Sequence, residues 1–294
     1  MHDVVGAVLA WYDSAARDLP FRRPGVGPWA VLVSEVMLQQ TPVGRVLPAY
    51  EAWLRRWPSP AACAAEPAGE AVRMWDRLGY PRRALRLHAA ATEITHRHNG
   101  LVPSDLDDLL ALPGVGDYTA RAVAAFAFGA RVPVVDTNVR RVLARLVDGH
   151  PDPGAPSVAR DLRAAAAVLP DDAAVAPAWS VAVMELGALV CTSRAPRCPA
   201  CPVLAVCAWQ RRGRPEPSLP QRRSQAWAGS DRQVRGRLLA VLRKAATPVA
   251  PGELDDAWHE PVQRTRALAG LVADGLVEPL PDGRYALPGT TVSA

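Results

Sequence analysis

The sequence predicts an all-α body followed by a small separate C-terminal unit. Apolar residues recur at three- and four-residue spacing through 29–37, 84–94, 120–128 and 175–189, which is the period of amphipathic helices. Prolines at 20, 42, 58, 103, 133 and 170 divide these stretches into short helices, and no long strand-like alternation appears. With 294 residues, 49% of them hydrophobic, the chain is long enough for about two domains with buried cores.

The charge is unevenly distributed. The chain carries 34 basic residues and a net charge of +5, and Lys244 is its single lysine. Residues 211–244 hold nine arginines and Lys244 against Glu216 and Asp231, a net +8, whereas residues 245–294 sum to −4. A basic excess favours an anionic partner. The lone lysine excludes lysine chemistry in the body.

Composition sets the predicted domain boundaries. Residues 1–210 form the helical body, and the Arg-, Pro- and Ser-rich residues 211–230 form a basic linker. Residues 231–294 predict helices over 231–246, 252–258 and 261–274, followed by a hairpin with a Pro-Asp-Gly turn at 281–283. Three helices and a two-stranded wing outline a winged helix-turn-helix.

The N-terminus predicts a first amphipathic helix and no signal peptide, because Asp3 precedes its apolar stretch and no cationic region does. Pro177 and Glu185 interrupt the longest apolar run, so no membrane span is expected. These features predict a soluble, cytoplasmic protein.

Four cysteines are crowded into 17 residues in the pattern C-x6-C-x2-C-x5-C: Cys191, Cys198, Cys201 and Cys207. Thiolates brought this close by short loops can surround one metal centre, whereas a cytosolic disulfide would be reduced. A four-cysteine zinc site usually has two separated C-x2-C pairs, and only one is present. The spacing therefore favours a 4Fe-4S cluster held by the loop 191–207.

Two further segments contain residues that suit functional sites. In Leu112-Pro-Gly-Val-Gly116, Gly114 and Gly116 flank Val115 between two helical stretches, so the backbone can turn tightly and present N–H groups to a phosphate. About twenty residues later, in VVDTNVR, Asp136 suits the N-cap of the next helix. Alone, the first segment is also consistent with an ordinary turn and the second with capping.

Taken together, the motifs resemble the helix-hairpin-helix DNA glycosylases, and most closely the adenine DNA glycosylase branch. The resemblance covers residues 1 to about 210. It rests on the LPGVG hairpin, VVDTNVRRV, the cysteine loop, LPFR (19–22), PWAVLVSEVMLQQT (28–41), WDRLGYPRRALRLH (75–88) and VAVMELGALVC (181–191). It implies a two-lobed helical body with an iron–sulfur loop.

The resemblance also implies a catalytic set. Breaking an N-glycosidic bond requires an acid for the leaving base and a carboxylate for the cationic sugar. Glu35 would be the acid at N7 of adenine and would handle water, and its apolar neighbours favour a protonated carboxyl. Asp136 would stay ionised beside the sugar and Asn138 would orient the two carboxyl groups. Tyr118 occupies the hairpin position at which endonuclease III carries its Schiff-base lysine.

Other positions match DNA contacts of the family. Tyr80 and Gln40 match residues that wedge into the duplex, and Thr41 is expected, with Gln40, to influence lesion preference. Arg22 and Trp29 match positions around the adenine pocket, although Trp29 equally suits a core. The complete predicted DNA-binding set is Gln40, Thr41, Tyr80, Gly114, Val115, Gly116, Arg22 and Trp29.

The resemblance predicts a monofunctional, monomeric glycosylase that removes adenine opposite 8-oxoguanine or guanine from double-stranded DNA, and is nucleoid-associated when bound. Alternatives are a G/T-mismatch thymine glycosylase, endonuclease III, and a non-catalytic DNA-binding regulator. The chain departs from the family at Arg77 and Pro81, beside Tyr80, and in a tail smaller than the usual β-rich domain that reads 8-oxoguanine.

Overall fold

The computed structural model describes residues 2–216 and 227–290, and its regular structure is almost entirely helical. In chain order the α-helices of these ranges are α1 (His2–Ala15), α2 (Pro28–Leu38), α3 (Val43–Arg56), α4 (Pro60–Ala64), α5 (Ala68–Met74), α6 (Arg82–Arg97), α7 (Leu106–Ala111), α8 (Asp117–Phe128), α9 (Thr137–Leu143), α10 (Val158–Ala166), α11 (Ala176–Leu189), α12 (Ala208–Arg211), α13 (Asp231–Lys244), α14 (Pro251–Asp255) and α15 (Pro261–Ala273). Two short strands, β1 (Glu278–Pro279) and β2 (Tyr285–Ala286), form the only sheet described. The prediction of an all-α body is confirmed.

The chain divides into two compact units. The first comprises residues 1–31, 104–110 and 116–222, and the second comprises residues 32–103, 111–115 and 223–294. The predicted domain boundaries at 210 and 230 stay predictions, and residues 217–226 of the predicted linker lie outside the described residues.

The core of the first unit is organised around α11, which packs against α1 and α9. This helix is apolar around nearly its whole circumference, as expected for a helix that is buried on all sides. Trp179 and Val183 of α11 pack in one cluster with Val8 and Val139. Ser180, one of its two buried polar residues, donates to the carbonyl of Ala176 at 3.0 Å.

In the second unit, α6 packs against α4 and α5. Trp53 makes edge-to-face contacts with Trp57 and Trp75, with ring centroids 4.6 and 5.9 Å apart. All three indoles are buried, and each aromatic pair contributes about 1 kcal/mol beyond its buried area. This cluster fixes the end of α5, from which the chain enters a tight loop before α6.

The C-terminal part of the second unit has a winged-helix-like order, with α13, α14 and α15 followed by the β1–β2 hairpin. Leu238 and Leu242 of α13 and Leu271 of α15 are buried in its core. The strands are antiparallel, with Glu278 opposite Ala286, and Val249 bridges to Tyr285. The helix α14 ends at Asp255, three residues before the predicted end, because Trp258 folds back in a turn onto the Asp255 carbonyl.

Within the described ranges, no helix has both the length and the apolar character that crossing a bilayer requires.

Candidate active site

Glu35 lies on α2, a helix that begins at Pro28 and is apolar along most of its length. Only 6% of Glu35 is exposed, and its neighbours Val33, Val36 and Met37 are buried as well. A proline in the first turn costs no helical hydrogen bond, which explains where the helix starts. The sequence thus places a carboxyl group in an apolar, largely water-free position.

Asp136 precedes α9 as its N-cap, with an extended backbone at φ −99°. One carboxylate oxygen, Oδ1, accepts from the Val139 N–H at 2.7 Å, and Oδ2 accepts from the Asn138 side-chain amide at 2.7 Å. Burial raises the pKa of Asp136, while these hydrogen bonds and the charge of Arg141 act in the opposite direction without overcoming it. The hydrogen-bond donors therefore favour the ionised form of Asp136 that the sequence predicts, whereas burial favours the protonated form.

Asn138 is held in turn by Arg141. The guanidinium of Arg141 donates to Asn138 Oδ1 at 2.8 Å and to the carbonyls of Gly187 and Cys191, each at 2.7 Å. The absence of a side chain at Gly187 allows Asn138 to lie close to α11, because a Cβ at position 187 would lie 2.7 Å from the Asn138 Cβ. Sequence reasoning did not single out Arg141, although it falls within the VVDTNVRRV motif.

Glu185 is the other buried polar residue of α11, and its carboxylate joins two arginines of the N-terminal segment. Arg17 Nε donates to Oε1 and Arg22 Nη1 to Oε2, both at 2.6 Å. Burial alone would raise the pKa of Glu185, but the two guanidinium groups outweigh it and lower the pKa to about 2. Arg22 is thus engaged by an internal carboxylate, and its predicted place near the adenine pocket stays a prediction.

The LPGVG turn has the backbone that its glycines predict. Gly114 has φ +77°, and a Cβ there would lie 2.5 Å from the Arg86 Cβ, so both its conformation and its surroundings require glycine. The Val115 N–H donates to the Leu112 carbonyl at 3.1 Å, which closes the turn. Gly116 is the N-cap of α8 and offers no side-chain cap to the first amides of that helix.

Tyr118 and Trp29 are both at least partly buried, and their catalytic and DNA-contacting roles stay predictions. Tyr118, in the first turn of α8, is partly buried against the core of the first unit. Trp29 is 6% exposed.

The segment 75–81, which we call the Tyr80 loop, connects α5 to α6. Tyr80 is 52% exposed and has a left-handed backbone at φ +47°, which is uncommon for a residue with a side chain. Gln40, after α2, is also left-handed at φ +56°. The structure therefore gives both predicted wedge residues a strained conformation, which has to be held by their surroundings.

Arg83 connects the chain around Gln40 with the Tyr80 loop. Its guanidinium donates to the carbonyls of Val36 and Met37 at 2.9 and 3.0 Å, and to the carbonyl of Gln39. It also donates to Thr41 Oγ1 at 2.8 Å and to the Gly79 carbonyl at 3.1 Å. Sequence reasoning missed Arg83, because nothing in the sequence marks a residue whose partners are mainly backbone carbonyls.

The four cysteines lie on a loop with two short 3-10 turns, at Cys198–Ala200 and Leu204–Val206. Burial, together with the charges of the other three thiols, raises the pKa of Cys201 to about 11. Arg145 lies among them: it donates to Cys191 Sγ at 3.5 Å, and the Cys207 thiol donates to its carbonyl at 3.5 Å. Within the described residues, however, no three His, Cys, Asp or Glu side chains form a group that could hold a metal ion as placed.

Comparison with known proteins agrees with these features. The family model of the HhH-GPD superfamily base excision DNA repair proteins matches residues 33–167. An adenine DNA glycosylase of Mycobacterium tuberculosis is 58% identical over 283 residues, which is 96% of this chain and 92% of that protein. One of Mycolicibacterium smegmatis is 56% identical, covering 96% and 95% of the two chains.

Among solved structures, a thermostable thymine-DNA glycosylase superposes with a TM-score of 0.63 at 26% identity, covering 71% of this chain and 95% of that one. The match to the mycobacterial enzymes extends over nearly the whole chain, whereas this structure matches a smaller share of it. The resemblance inferred from the motifs is confirmed. The chain belongs to the adenine DNA glycosylase family of the helix-hairpin-helix base excision repair proteins.

Proposed function

We propose that this protein removes adenine mispaired with 8-oxoguanine or guanine from double-stranded DNA by hydrolysis of its N-glycosidic bond. Its relatives act on adenine in DNA, as their names state. The structural observation that carries the proposal is the Asp136 carboxylate, held by the Val139 N–H on one oxygen and by Asn138 on the other. A carboxylate fixed in this way can stabilise a cationic sugar without rearranging during the reaction.

In the proposed reaction, the Glu35 carboxyl donates its proton to N7 of the adenine. The bond between C1′ and N9 then breaks, and its electron pair leaves with the base. The sugar acquires oxocarbenium character, which the negative charge of Asp136 stabilises. The Glu35 carboxylate takes a proton from the incoming water, whose oxygen bonds to C1′, so the acid is regenerated and an abasic site remains.

The reaction is proposed to end at that point, without strand cleavage. A lyase step by Schiff-base chemistry needs an amine nucleophile, and the body has no lysine before Lys244. By the family resemblance, Tyr118 occupies the position at which endonuclease III carries its Schiff-base lysine. Its phenol side chain carries no amine.

Cys191, Cys198, Cys201 and Cys207 are proposed to hold a 4Fe-4S cluster. Four cysteines within 17 residues of one short loop are the kind of donor set that holds an iron–sulfur cluster. The cluster would supply a rigid connection for the loop. Its arginines, Arg194 and Arg197, could then face phosphate groups.

DNA binding is proposed to rest on the turn 112–116 and on the wedge residues. The first amides of α8 would bind a phosphate, while Tyr80 and Gln40 would enter the duplex as the adenine leaves the stack. The protein is proposed to act as a monomer, nucleoid-associated when bound to DNA.

A glycosylase assay tests the proposal. Duplexes carrying adenine, thymine or thymine glycol opposite guanine or 8-oxoguanine are compared under single-turnover conditions. We expect excision of adenine alone, loss of excision in Glu35→Gln with duplex binding retained, and loss of most activity in Asp136→Asn. Preferential excision of thymine, or a near-normal rate in Glu35→Gln, would refute the assignment.

A further inference from the structure

The Tyr80 loop is held by side chains at each of its carbonyl groups from residue 76 to residue 79. The Asp76 carbonyl accepts from Arg243, and the Arg77 carbonyl from Arg45 at 2.6 Å. The Leu78 carbonyl accepts from Thr41 Oγ1 at 3.3 Å. The Gly79 carbonyl accepts from Trp75 Nε1 at 2.9 Å and from Arg83 at 3.1 Å. Four consecutive carbonyls thus have side-chain donors.

These hydrogen bonds offset the conformational cost of the loop backbone. Asp76 and Tyr80 are both left-handed, at φ +40° and +47°, and each such residue costs about 1 kcal/mol or more. A loop of this kind keeps one conformation only if its surroundings impose it. The donors to the loop carbonyls impose it here, and they define the position from which the exposed Tyr80 ring projects.

One of these donors comes from the C-terminal part of the second unit. Arg243, in the last turn of α13, donates its Nε to the Val72 carbonyl at 2.8 Å and an Nη1 hydrogen to the Asp76 carbonyl. Arg73 of α5 makes the reciprocal contact: its guanidinium donates to the carbonyls of Arg243 and Ala245, the latter at 3.0 Å. The two arginines therefore hold α13 and the start of the Tyr80 loop together.

The same region is in close contact elsewhere. The Gly69 N–H donates to the Pro288 carbonyl at 2.7 Å, and a Cβ at Gly69 would lie 2.8 Å from the Leu287 Cβ. Arg82, just after the loop, pairs with Asp274 at 3.2 Å. Contacts from α13, from the turn after α15 and from the chain after β2 thus meet residues 67–82.

The charges after α13 argue against a DNA-reading role for this part of the chain. Each of the three arginines after residue 245 pairs with a carboxylate: Arg264 with Asp255 at 2.6 Å, Arg266 with Asp231 at 2.8 Å, and Arg284 with Asp282 at 2.7 Å. Residues 245–294 carry a net charge of −4. A winged helix that binds phosphate needs cations free to neutralise it.

We propose that Arg243 is a positioning residue for Tyr80, and that the winged-helix-like region supports the Tyr80 loop through the end of α13. The inference rests on the proposed wedge role of Tyr80. By holding the Asp76 carbonyl, Arg243 fixes one end of the loop whose other end carries the Tyr80 ring. Its loss leaves Tyr80 present but free to adopt other positions when the duplex is opened.

The test is a double-mutant cycle of Arg243→Met and Tyr80→Ala in the full-length protein. The substrate is a duplex with adenine opposite 8-oxoguanine and 2-aminopurine beside the 8-oxoguanine, whose fluorescence reports unstacking. We expect Arg243→Met to lower the single-turnover rate at saturating enzyme about tenfold, as small displacements of a positioned group do. The dissociation constant should change less than about twofold, and the fluorescence rise on binding should shrink.

Arg266→Met is the matched control, because it removes an exposed arginine from the same region without touching the Tyr80 loop. It should keep the rate and the fluorescence of the parent protein. Arg243→Lys, which keeps the charge and N–H donors but lacks the forked guanidinium, should recover part of both. Should Arg243→Met not fold, Arg243→Gln takes its place in the cycle, since it removes the charge and the forked guanidinium but keeps a polar side chain.

The cycle separates the inference from the function beneath it. If Arg243 acts through Tyr80, the double variant is no slower than Tyr80→Ala. Additive losses, or a normal rate in Arg243→Met beside a slow Tyr80→Ala, would overturn the role of Arg243 alone. A Tyr80→Ala variant whose rate and fluorescence match those of the parent protein would overturn the wedge role and the inference with it.

Discussion

Asn138 donates its side-chain amide to Asp136 at 2.7 Å and accepts from Arg141 at 2.8 Å through the other atom of the same amide. The amide is therefore fixed in one orientation, because only its nitrogen can donate to the carboxylate. Through Arg141 this contact continues to the Cys191 carbonyl, at the first residue of the cysteine loop.

Asn138→Ala removes a donor that lowers the pKa of Asp136. Burial already raises that pKa, so the variant should raise it further, and Asp136 should be protonated at a higher pH than in the parent protein. We expect the single-turnover rate to fall about 10- to 100-fold at neutral pH, with the acid limb of its pH profile displaced upward. Thr137→Ala, an exposed neighbour, is the control. An unchanged acid limb would show that Asn138 does not tune Asp136.

Gly187→Ala tests the close approach of α9 to α11. The added methyl would lie 2.7 Å from the Asn138 Cβ, so either helix has to move. We expect a loss of about 1–3 kcal/mol in the free energy of unfolding, together with slower excision. Gly6→Ala on α1 meets nothing within 4 Å and should be neutral or slightly stabilising. Urea unfolding of both variants decides, and equal stabilities would contradict the packing argument.

Glu185→Gln removes the charge that Arg17 and Arg22 share. Two guanidinium groups would then lack their buried counter-charge, and breaking such a pair costs about 3–5 kcal/mol. The pKa of Glu185 is depressed to about 2 in the folded protein, so its stabilising effect is complete above its unfolded value near 4.5. That effect is lost as the pH falls from about 4.5 towards 2.

Urea unfolding at neutral pH and near pH 3 measures this contribution. The parent protein should lose stability over that interval by more than Glu185→Gln does. Asp18→Asn is the control, because the ion pair of Asp18 with Arg23 is exposed and contributes little to stability. Parallel losses in the parent and in Glu185→Gln would show that the pair contributes nothing to acid sensitivity.

The lone lysine allows a direct test of the reaction class. Borohydride should trap little covalent protein–DNA product, and abasic DNA should accumulate uncut until heat or base is added. Lys244→Ala with a blocked N-terminus is the control that removes the remaining amines. Efficient trapping that persists in this variant would contradict a monofunctional reaction.

Much of this site is readable in the sequence where the groups are contiguous. Asp136, Asn138 and the α9 amide that Asp136 caps lie within four residues, so the motif contains the geometry. Gly114 is readable for a similar reason, because its positive φ is a local property. The all-α body followed from periodicity, which depends only on neighbouring residues.

The supporting arginines are not readable in this way. Arg83 and Arg243 donate to backbone carbonyls, which every residue possesses, so no residue type marks the partner. Arg243 lies 171 positions from the Val72 carbonyl it serves, and Arg17 lies 168 positions from Glu185. In a chain whose bases are almost all arginine, only the three-dimensional structure separates the few that position a loop from those that face solvent.

The fit of Gly69 against Leu287 and Pro288 has a genetic consequence. A premature stop codon before residue 243 would remove a C-terminal segment that looks dispensable in the linear sequence. In the molecule it would strip a donor from the Tyr80 loop and uncover the face of α5 that the tail protects. Such alleles should behave as partial loss-of-function alleles.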